Sequence, residues 1–460
     1  MDTRRFIVAM ILSLAVIYGY QYLVAPQHPP AGTRPAATQA AGTQGAVGGP
    51  ASQPGAAGSP VLSEAGSAPA TPAEARQPTW HARGADVVRQ VTLGEDTPEG
   101  TFHTQAILTS RGAAVEQVLM IARKKTDGKT IYRYAQTVEG DRPYRVVKPL
   151  DLPSGQTLYS WETAGIRIGQ PQVEVPLADV PWNVEVSRTD NGGYAARFWV
   201  DVLNGERPVV RIVKHFALAP NSFAIEMGLT FEPLGESEAS LVLEQLGPVG
   251  IERDDPRTDM RKIFVVNAEK DRMRPGYWTH ANIVKQGTIT VGSANPIAWT
   301  ALVDKYFAAI TAPVKATGAA SAIADVRLFR AGQDPSNTDD MALAMVTPPV
   351  LAQPGQPASL QYDLYVGPKD VEIFSANPQY AARQYVLLRS AEYAWCTFSS
   401  LGELMTSLLH WLHDWIWPHN YGVAIIVLVL LVRVILHPLT KHQQISMAQM
   451  QQRKAEVAPK

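Results

Sequence analysis

The chain has 460 residues, with 41 Lys and Arg against 42 Asp and Glu, so it lacks the basic excess that marks a general nucleic-acid binder. Its one cysteine, Cys396, excludes an intrachain disulfide and a thiolate zinc site. Hydrophobic residues make up 46 % of the sequence, which excludes disorder throughout and allows one large core or two ordinary ones.

The N-terminal segment predicts a membrane anchor. Residues 1–5 contain Arg4 and Arg5, and an uncharged apolar run covers residues 6–24. A helix of this length, at about 1.5 Å per residue, nearly crosses a hydrocarbon layer of about 30 Å. The alternative is a cleaved secretion signal, whose apolar core is normally shorter, about 7 to 15 residues. The positive-inside rule places residues 1–5 in the cytoplasm, so the chain that follows is exported.

Residues 25–80 predict a disordered linker. From Ala25 to Thr79, 47 of the 55 residues are Ala, Gly, Pro, Ser, Thr or Gln, so this stretch has almost nothing to bury. We expect a flexible tether between the anchor and the folded domain.

Residues 81–370 predict one large β domain with short helices at most. Apolar and polar residues alternate after the turn residues 220–222, as they do in a half-buried antiparallel strand. Residues 209–218 and 360–366 read as further strands. The spacing of strands and turns favours a two-sheet sandwich. The apolar members of the first alternation are Phe223, Ile225, Met227, Leu229 and Phe231.

No reaction centre is evident in this domain. The "DGKT" at 127–130 resembles the end of a phosphate loop, but the required first glycine is replaced by Arg123, so we predict a turn. Asp254, Asp255 and Asp259 are candidates for acid–base chemistry, yet the arginines between them favour a solvated loop. A sandwich of this size could also bind a sugar or a peptide in a groove between its sheets.

Residues 371–417 predict connecting helices and an amphipathic interfacial helix. A cluster of tryptophans precedes the next apolar span, which is typical of a helix in the lipid headgroup layer: Trp395, Trp411, Trp415 and Trp417. The alternative is a core helix packed on the sandwich. His410 and His413 have a spacing that suits a metal pair, but no third ligand is evident. The helical apolar stripe comprises Leu401, Leu404, Met405, Leu408, Leu409, Leu412, Trp415 and Ile416.

Residues 418–438 predict a second membrane helix, and residues 439–460 the start of a cytoplasmic helix. Lys441, Arg453 and Lys454 follow the span, so the positive-inside rule returns the chain to the cytoplasm. Both topology predictions agree. The large domain is then outside the cytoplasmic membrane, which suits a Gram-negative periplasm.

Arg433 is the strongest candidate for a functional residue. A charged guanidinium inside "VLVLLVRVILHP" costs about 2.5 to 3.5 kcal/mol unless it reaches water or headgroups. One interpretation is that Arg433 extends to lipid phosphates at the cytoplasmic boundary. The other is a hydrophilic cavity in which the charge attracts a polar or acidic segment of a substrate. Neither involves a nucleophile and a base, so we expect an electrostatic role and no enzymatic activity.

The order of these segments resembles that of the YidC family of bacterial membrane-protein insertases. The resemblance extends over essentially the whole chain: an anchor, a Pro/Ala/Gly linker, a β domain ending in "LYVGPKD" at 364–370, a Trp-rich helix, and "IVLVLLVRVILHPLTKHQQISMAQM". Its most specific parts are Arg433, the "PLTK" at 438–441, and the "SMA" at 446–448.

The resemblance implies a β-supersandwich for the periplasmic domain and a hydrophilic groove in which Arg433 receives polar parts of nascent membrane proteins. It implies an inner-membrane insertase and chaperone that works in the lipid bilayer, alone or beside the Sec translocon and the ribosome, with no cofactor and no metal. Lys441, Arg453 and Lys454 become candidates for contact with a cytoplasmic partner.

Family members continue through a cytoplasmic hairpin and four further membrane helices, whereas this sequence ends at Lys460. We therefore expect it to be the N-terminal portion of a longer protein. A membrane-anchored periplasmic module that binds a sugar or a protein is the alternative function. A sugar-modifying enzyme would need converging carboxylates or histidines, which the sequence does not indicate.

Overall fold

The computed structural model describes residues 79–126, 128–135, 142–152, 154–169, 172–236, 238–253, 259–270, 272–292, 295–314, 321–331, 340–390, 399–416, 420–434 and 437. The predicted anchor and cytoplasmic helix, and all of the predicted linker except residues 79 and 80, lie outside this part. The chain divides into two compact units. The first contains nearly all of the strands, and the second comprises residues 252–262, 303–308 and 367–460.

The described residues form twenty-five strands, numbered in chain order. The first thirteen are β1 Trp80–Arg83, β2 Gln90–Leu93, β3 Thr104–Thr109, β4 Ala114–Met120, β5 Arg123–Thr126, β6 Lys129–Tyr132, β7 Tyr144–Val147, β8 Leu150–Asp151, β9 Thr157–Leu158, β10 Thr163–Ile168, β11 Val173–Pro176, β12 Asn183–Arg188 and β13 Tyr194–Asn204. The others are β14 Arg207–Leu218, β15 Ala224–Pro233, β16 Ala239–Leu246, β17 Lys262–Glu269, β18 Arg272–Thr279, β19 Ile289–Gly292, β20 Ile297–Val303, β21 Phe307–Pro313, β22 Asp325–Ala331, β23 Asp340–Val346, β24 Val350–Ala352 and β25 Ala358–Pro368.

Two large sheets form the body of the first unit. Within the described residues, ten strands form one sheet in the order β1-β13-β14-β15-β25-β21-β20-β17-β18, with β12 beside β13. Seven strands form the second in the order β11-β10-β16-β23-β22-β19, with β24 beside β16. A four-stranded sheet, β2-β3-β4-β7, and the pairs β5-β6 and β8-β9 complete the strands.

Helices are few and short in the described part of the β domain. The helices are α1 His280–Gln286, α2 Val371–Ala376, α3 Pro378–Ala382, α4 Leu387–Ser390, α5 Ser399–Trp415 and α6, which covers residues 421–434. Only α1 lies among the strands. The predicted sandwich with short helices at most is therefore confirmed for the residues that the structure describes.

The alternating pattern that predicts β15 is confirmed in detail. Phe223, just before the strand, and the four apolar residues that alternate within it are all at most 9 % exposed, whereas Glu226 between them is exposed. The strand pairs with β14 on one side and β25 on the other, so its inward face contributes to the middle of the core. This burial supplies most of the stabilisation, at about 25 cal/mol for each Å² of apolar surface removed from water.

Residues 128–130 of the "DGKT" segment lie in a hairpin, in agreement with the predicted turn. Thr126 of β5 pairs with Lys129 of β6, and Gly128 between them has φ of +75°. Glycine adopts this left-handed conformation without the steric cost that a side chain brings. Asp259 is also accounted for, because its carboxylate accepts hydrogen bonds from Nε and Nη2 of Arg261 at 3.0 and 2.8 Å. Asp254 and Asp255 lie outside the described residues.

A buried turn at residues 159–163 connects the two large sheets. Backbone hydrogen bonds join it to the end of β16, because Trp161 N donates to Gly247 O at 3.1 Å. Its side chains reach the other sheet: Trp161 Nε1 donates to Thr311 Oγ1 on β21 at 2.7 Å. Trp161 has no exposed surface and a φ of +55°, a conformation that is rare for a bulky residue and costs on the order of 1–3 kcal/mol. The contacts of this turn hold that strained backbone in place.

Lys214 is the most unusual residue of the core, because a lysine without a partner is almost never buried completely. It lies on β14 with no exposed surface, and its Nζ donates to Trp161 O and to Thr163 Oγ1. Burial lowers the pKa of Lys214 to about 7, although the charge of Glu162 opposes this. Burial likewise raises the pKa of Glu162 to about 7, against the backbone hydrogen bond from Tyr159 and the charge of Arg111.

The C-terminal stretch of the second unit begins at the end of β25. Asp370 caps α2, its side chain accepting a hydrogen bond from Glu372 N at 2.8 Å. The residue before this cap, Lys369, is held by a hydrogen bond that its Nζ donates to Asp304 O at 2.6 Å. Three aromatic rings then pack together between α2 and α4, with centroids 5.4 to 6.5 Å apart: Phe374, Tyr380 and Tyr385. The "GPKD" segment thus supplies a side-chain contact to the backbone of Asp304 and the N-cap of α2.

Candidate membrane-facing site

Helix α5 exposes large apolar side chains. Leu412 is 2 % exposed and packs inward, whereas Leu404, Trp411 and Trp415 are 59, 54 and 72 % exposed. Residues 404, 411 and 415 recur at helical spacing and so share one side of the helix. Of the apolar stripe that predicts an interfacial helix, Leu404 and Trp415 are exposed and Leu412 is buried. The exposed side is typical of a surface that contacts another protein or a membrane.

The two exposed tryptophans form a pair. The rings of Trp411 and Trp415 are stacked, with centroids 5.4 Å apart and planes 8° from parallel. An indole ring combines a large apolar body with one N–H donor, a combination that is enriched where protein meets both hydrocarbon and water. The pair presents these properties together on one face of α5.

Tyr421 connects α5 to α6. Its ring stacks on His413 at 4.0 Å between centroids and meets His410 edge to face at 6.0 Å. Asn420 caps the new helix, accepting a hydrogen bond from Gly422 N at 2.7 Å. Both histidines thus contact Tyr421, and the described residues contain no group of three metal-ligating side chains. The periodicity of the sequence does not reveal this contact, because Tyr421 lies in the following helix.

Helix α6 carries an apolar surface with one charge on it. Ala424 is fully buried, while the other side of the helix is exposed. Arg433 lies on this exposed side, three and four residues after Leu430 and Val429 and seven after Ile426. The large exposed side chains of α6 are Tyr421, Val423, Ile425, Ile426, Val429, Leu430 and Val434.

Arg433 is exposed at the C-terminal end of α6. Among the described residues the structure records no ion pair for it. A guanidinium stays charged at every physiological pH and offers five N–H donors in a planar fork. It therefore suits carboxylates, phosphates and peptide carbonyl groups. The geometry allows non-covalent binding of such groups beside an apolar surface.

No helix in the described ranges combines the length and the hydropathy needed to cross a membrane. Of the predicted span 418–438, the structure describes residues 420–434 and 437. Five predicted site residues lie outside the described part: Trp395, Trp417, Lys441, Arg453 and Lys454. Their roles, like the groove role of Arg433, stay predictions.

Comparison with known proteins identifies relatives of the chain. The family model described as "YidC periplasmic domain" matches residues 130–412, more than half of the sequence. A protein of Geobacter metallireducens named "Membrane protein insertase YidC" is 25 % identical over 465 aligned positions, covering 97 % of this chain and 70 % of the relative. A protein of the same name from Jannaschia sp. is 24 % identical, covering 75 % of this chain and 55 % of its own length.

A third relative of that name, from Geotalea daltonii, is 31 % identical over 157 positions, which are 34 % of this chain and 26 % of the relative. The aligned region is thus well short of the full length of all three relatives.

Solved structures share only a distant likeness. The Slr1438 protein of Synechocystis aligns with a TM-score of 0.37 and 12 % identity, covering 63 % of this chain and 97 % of its own. A putative mutarotase of Salmonella typhimurium aligns with a TM-score of 0.33 and 13 % identity, covering 62 % and 93 %.

Proposed function

Because the chain belongs to the family of YidC periplasmic domains, we propose that it is the N-terminal portion of an inner-membrane insertase that helps nascent membrane proteins to enter the bilayer. Residues 6–24 and 418–438 would be its first two membrane helices, with the N-terminus in the cytoplasm. The linker 25–80 and the β domain 81–370 would lie in the periplasm. Residues 371–417 would rest at the membrane surface, and residues 439–460 would begin the cytoplasmic part.

The observation that carries this proposal is the position of Arg433 on the exposed apolar side of α6. Apolar side chains beside a lone cation suit a polypeptide that is moving from water into lipid. The cation binds the polar or acidic part of the substrate, and the neighbouring side chains contact its apolar part. A charge-assisted hydrogen bond is roughly twice as strong as a neutral one, so the guanidinium alone can hold a segment for a short time.

The exposed Trp411 and Trp415 would anchor α5 in the headgroup layer, just before the chain enters the membrane as α6. The Sec translocon and the ribosome are proposed partners, and Lys441, Arg453 and Lys454 are candidates for contact with one of them on the cytoplasmic side. No cofactor is needed, because insertion of this kind rests on electrostatic attraction and on transfer of apolar surface into lipid.

The test is substitution of Arg433 in the protein expressed from its own gene. Arg433→Ala should lower the insertion rate of substrates with charged translocated segments about tenfold, corresponding to about 1.4 kcal/mol of lost attraction. Arg433→Lys should restore part of the activity, since it keeps the charge. Arg83→Ala, which removes an exposed arginine from β1 of the sandwich, is the matched control and should insert like the wild type. Unchanged insertion by Arg433→Ala would contradict the proposal.

A deletion separates this function from that of a periplasmic binding module. Removing most of residues 85–350 should leave insertion largely intact if the membrane helices perform it. Loss of all function in that deletion, with Arg433→Ala harmless, would instead favour a module whose work is done by the sandwich.

A further inference from the structure

A polar cleft lies on the outer face of the seven-stranded sheet, within the first unit. Its volume is about 490 Å³, and its walls come from β10, β11, β16, β19, β22 and β23. Small-molecule sites typically have volumes of roughly 300 to 1,000 Å³, so this cleft has the capacity for a ligand the size of a disaccharide. It lies apart in sequence from Arg433 and from the helices α5 and α6.

The strand register explains why charged side chains meet there. Arg167 on β10 is opposite Glu174 on β11 and Val242 on β16, and Arg327 on β22 is opposite Thr290 on β19. The residues that alternate with them on the same strands are buried: Ile168, Leu243, Val326 and Leu328. Because side chains along a strand point to opposite faces, the apolar set faces the core and the charged set faces the cleft.

The cleft contains nearly balanced charge. Arg327 and Glu244 form an ion pair across it. Arg167, Glu174 and Asp325 also line it, and the structure records no ion pair for these three among the described residues. Two cations and three anions leave little net charge, so neither a strongly anionic nor a strongly cationic ligand is favoured. The cleft instead offers guanidinium donors and carboxylate acceptors side by side.

A neutral ligand that both donates and accepts hydrogen bonds fits these walls. Hydroxyl groups do both, and two neighbouring hydroxyls match the paired atoms of a carboxylate or a guanidinium. Val242 and Val346 supply an apolar floor for the C–H face of a ring. A peptide fits less well. The strands that form the floor of the cleft already use their backbone N–H and C=O groups for pairing within the sheet, so the backbone of a bound peptide could form hydrogen bonds only with side chains.

We infer that this cleft is a saccharide-binding site for a neutral mono- or disaccharide unit, held by Arg167, Glu174, Glu244, Asp325 and Arg327. Such a unit occurs free or as part of a glycan chain in the cell envelope. The site is independent of the insertase proposal, because no residue of α5 or α6 takes part in it.

The test is isothermal titration of the full chain in detergent micelles with cellobiose, maltose and N,N′-diacetylchitobiose. At least one sugar should bind saturably, with Kd of about 1 mM or tighter. Arg167→Ala combined with Asp325→Ala should weaken binding at least about tenfold, through the loss of hydrogen bonds to charged groups. Thr290 is exposed on the edge strand β19, so the bulky side chain of Thr290→Trp should fill the cleft and prevent binding of the sugar. Arg83→Ala combined with Asp86→Ala is the matched control, since both residues are exposed outside the cleft.

Several outcomes would overturn the inference. One is the absence of saturable binding by all three sugars at about 10 mM while the protein shows its normal thermal unfolding. Another is equal binding by the wild type and by both cleft variants. Saturable binding of an uncharged pentapeptide in place of the sugars, abolished by Thr290→Trp, would assign the cleft to peptides. Normal insertion by the cleft variants is expected in every case, so failure here leaves the Arg433 test unaffected.

Discussion

Replacement of Glu162 by Gln tests the electrostatics of the buried turn. Glu162 is 2 % exposed and lies beside the fully buried Lys214, which binds the neighbouring Trp161 O. Glutamine has nearly the same shape as a protonated glutamate and cannot ionise. The substitution therefore removes the titration of Glu162 while keeping its volume.

The expected magnitude follows from the pKa of Glu162, which burial raises from 4.5 to about 7. Between these two pH values the folded state holds a proton that the unfolded chain has released, so stability falls as pH rises. At about 1.4 kcal/mol for each pH unit, the wild type should lose about 3 kcal/mol across this window. The Glu162→Gln variant should not show this loss of stability.

Lys214 produces the opposite slope at higher pH. Burial lowers its pKa from 10.5 to about 7, so between these values the unfolded chain keeps a proton that the folded state has lost. Stability then rises with pH over that window. The two groups together predict a minimum of stability near neutral pH, and Lys214→Met should flatten the alkaline side of it.

The assay is urea unfolding of the chain in micelles, followed by circular dichroism of the strands at a series of pH values from 4.5 to 10. Glu185→Gln, an exposed carboxylate on β12, is the control and should retain the wild-type slope. A wild-type stability that does not fall between pH 4.5 and 7, or a fall that Glu162→Gln leaves unchanged, would show that Glu162 is not the source of this pH dependence.

Three further predictions concern packing, capping and the membrane surface. Gly228→Ala should destabilise the sandwich by about 2 kcal/mol in the same urea assay, because its Cβ would lie 1.8 Å from Cε1 of the half-buried His215 and displace the imidazole ring. Wild-type stability would show that the ring moves without cost. Asp370→Ala should cost about 1 kcal/mol through loss of the α2 cap, and an unchanged midpoint would show that the cap contributes nothing. Trp411→Ala combined with Trp415→Ala should reduce quenching of the protein's fluorescence by brominated lipids in reconstituted vesicles, and equal quenching would place these rings away from lipid.

Local patterns predict the strands because one face of each strand is buried. The alternation around β15 is readable since water is excluded from one side of the sheet only. The alternation of inward and outward positions along β14 also predicts the unusual position of Lys214. Lys214 lies two residues from Ile212 and two from Phe216, which are both fully buried. Because side chains alternate along a strand, this spacing places the lysine on the inner face.

Contacts between distant segments are not readable in this way. Arg167 and Arg327 come together only through the order of strands in the seven-stranded sheet. The pairing of Tyr421 with His413 likewise depends on how the chain turns between α5 and α6. Helical periodicity predicts that α5 is amphipathic, but it places Leu404 and Leu412 on one stripe although only Leu412 is buried. Burial depends on the neighbouring elements, which spacing alone does not specify.

Photo-crosslinking from position 430 shows whether a substrate lies beside Arg433 during insertion. A photoreactive residue in place of Leu430, on the same side of α6 as Arg433, should crosslink to a nascent membrane protein halted during insertion. The yield should fall strongly when Arg433→Ala is added, because the polar segment no longer stays beside the helix. If position 430 crosslinks only to lipid, or if Arg433→Ala leaves the yield of substrate crosslinks unchanged, Arg433 does not hold the substrate beside α6.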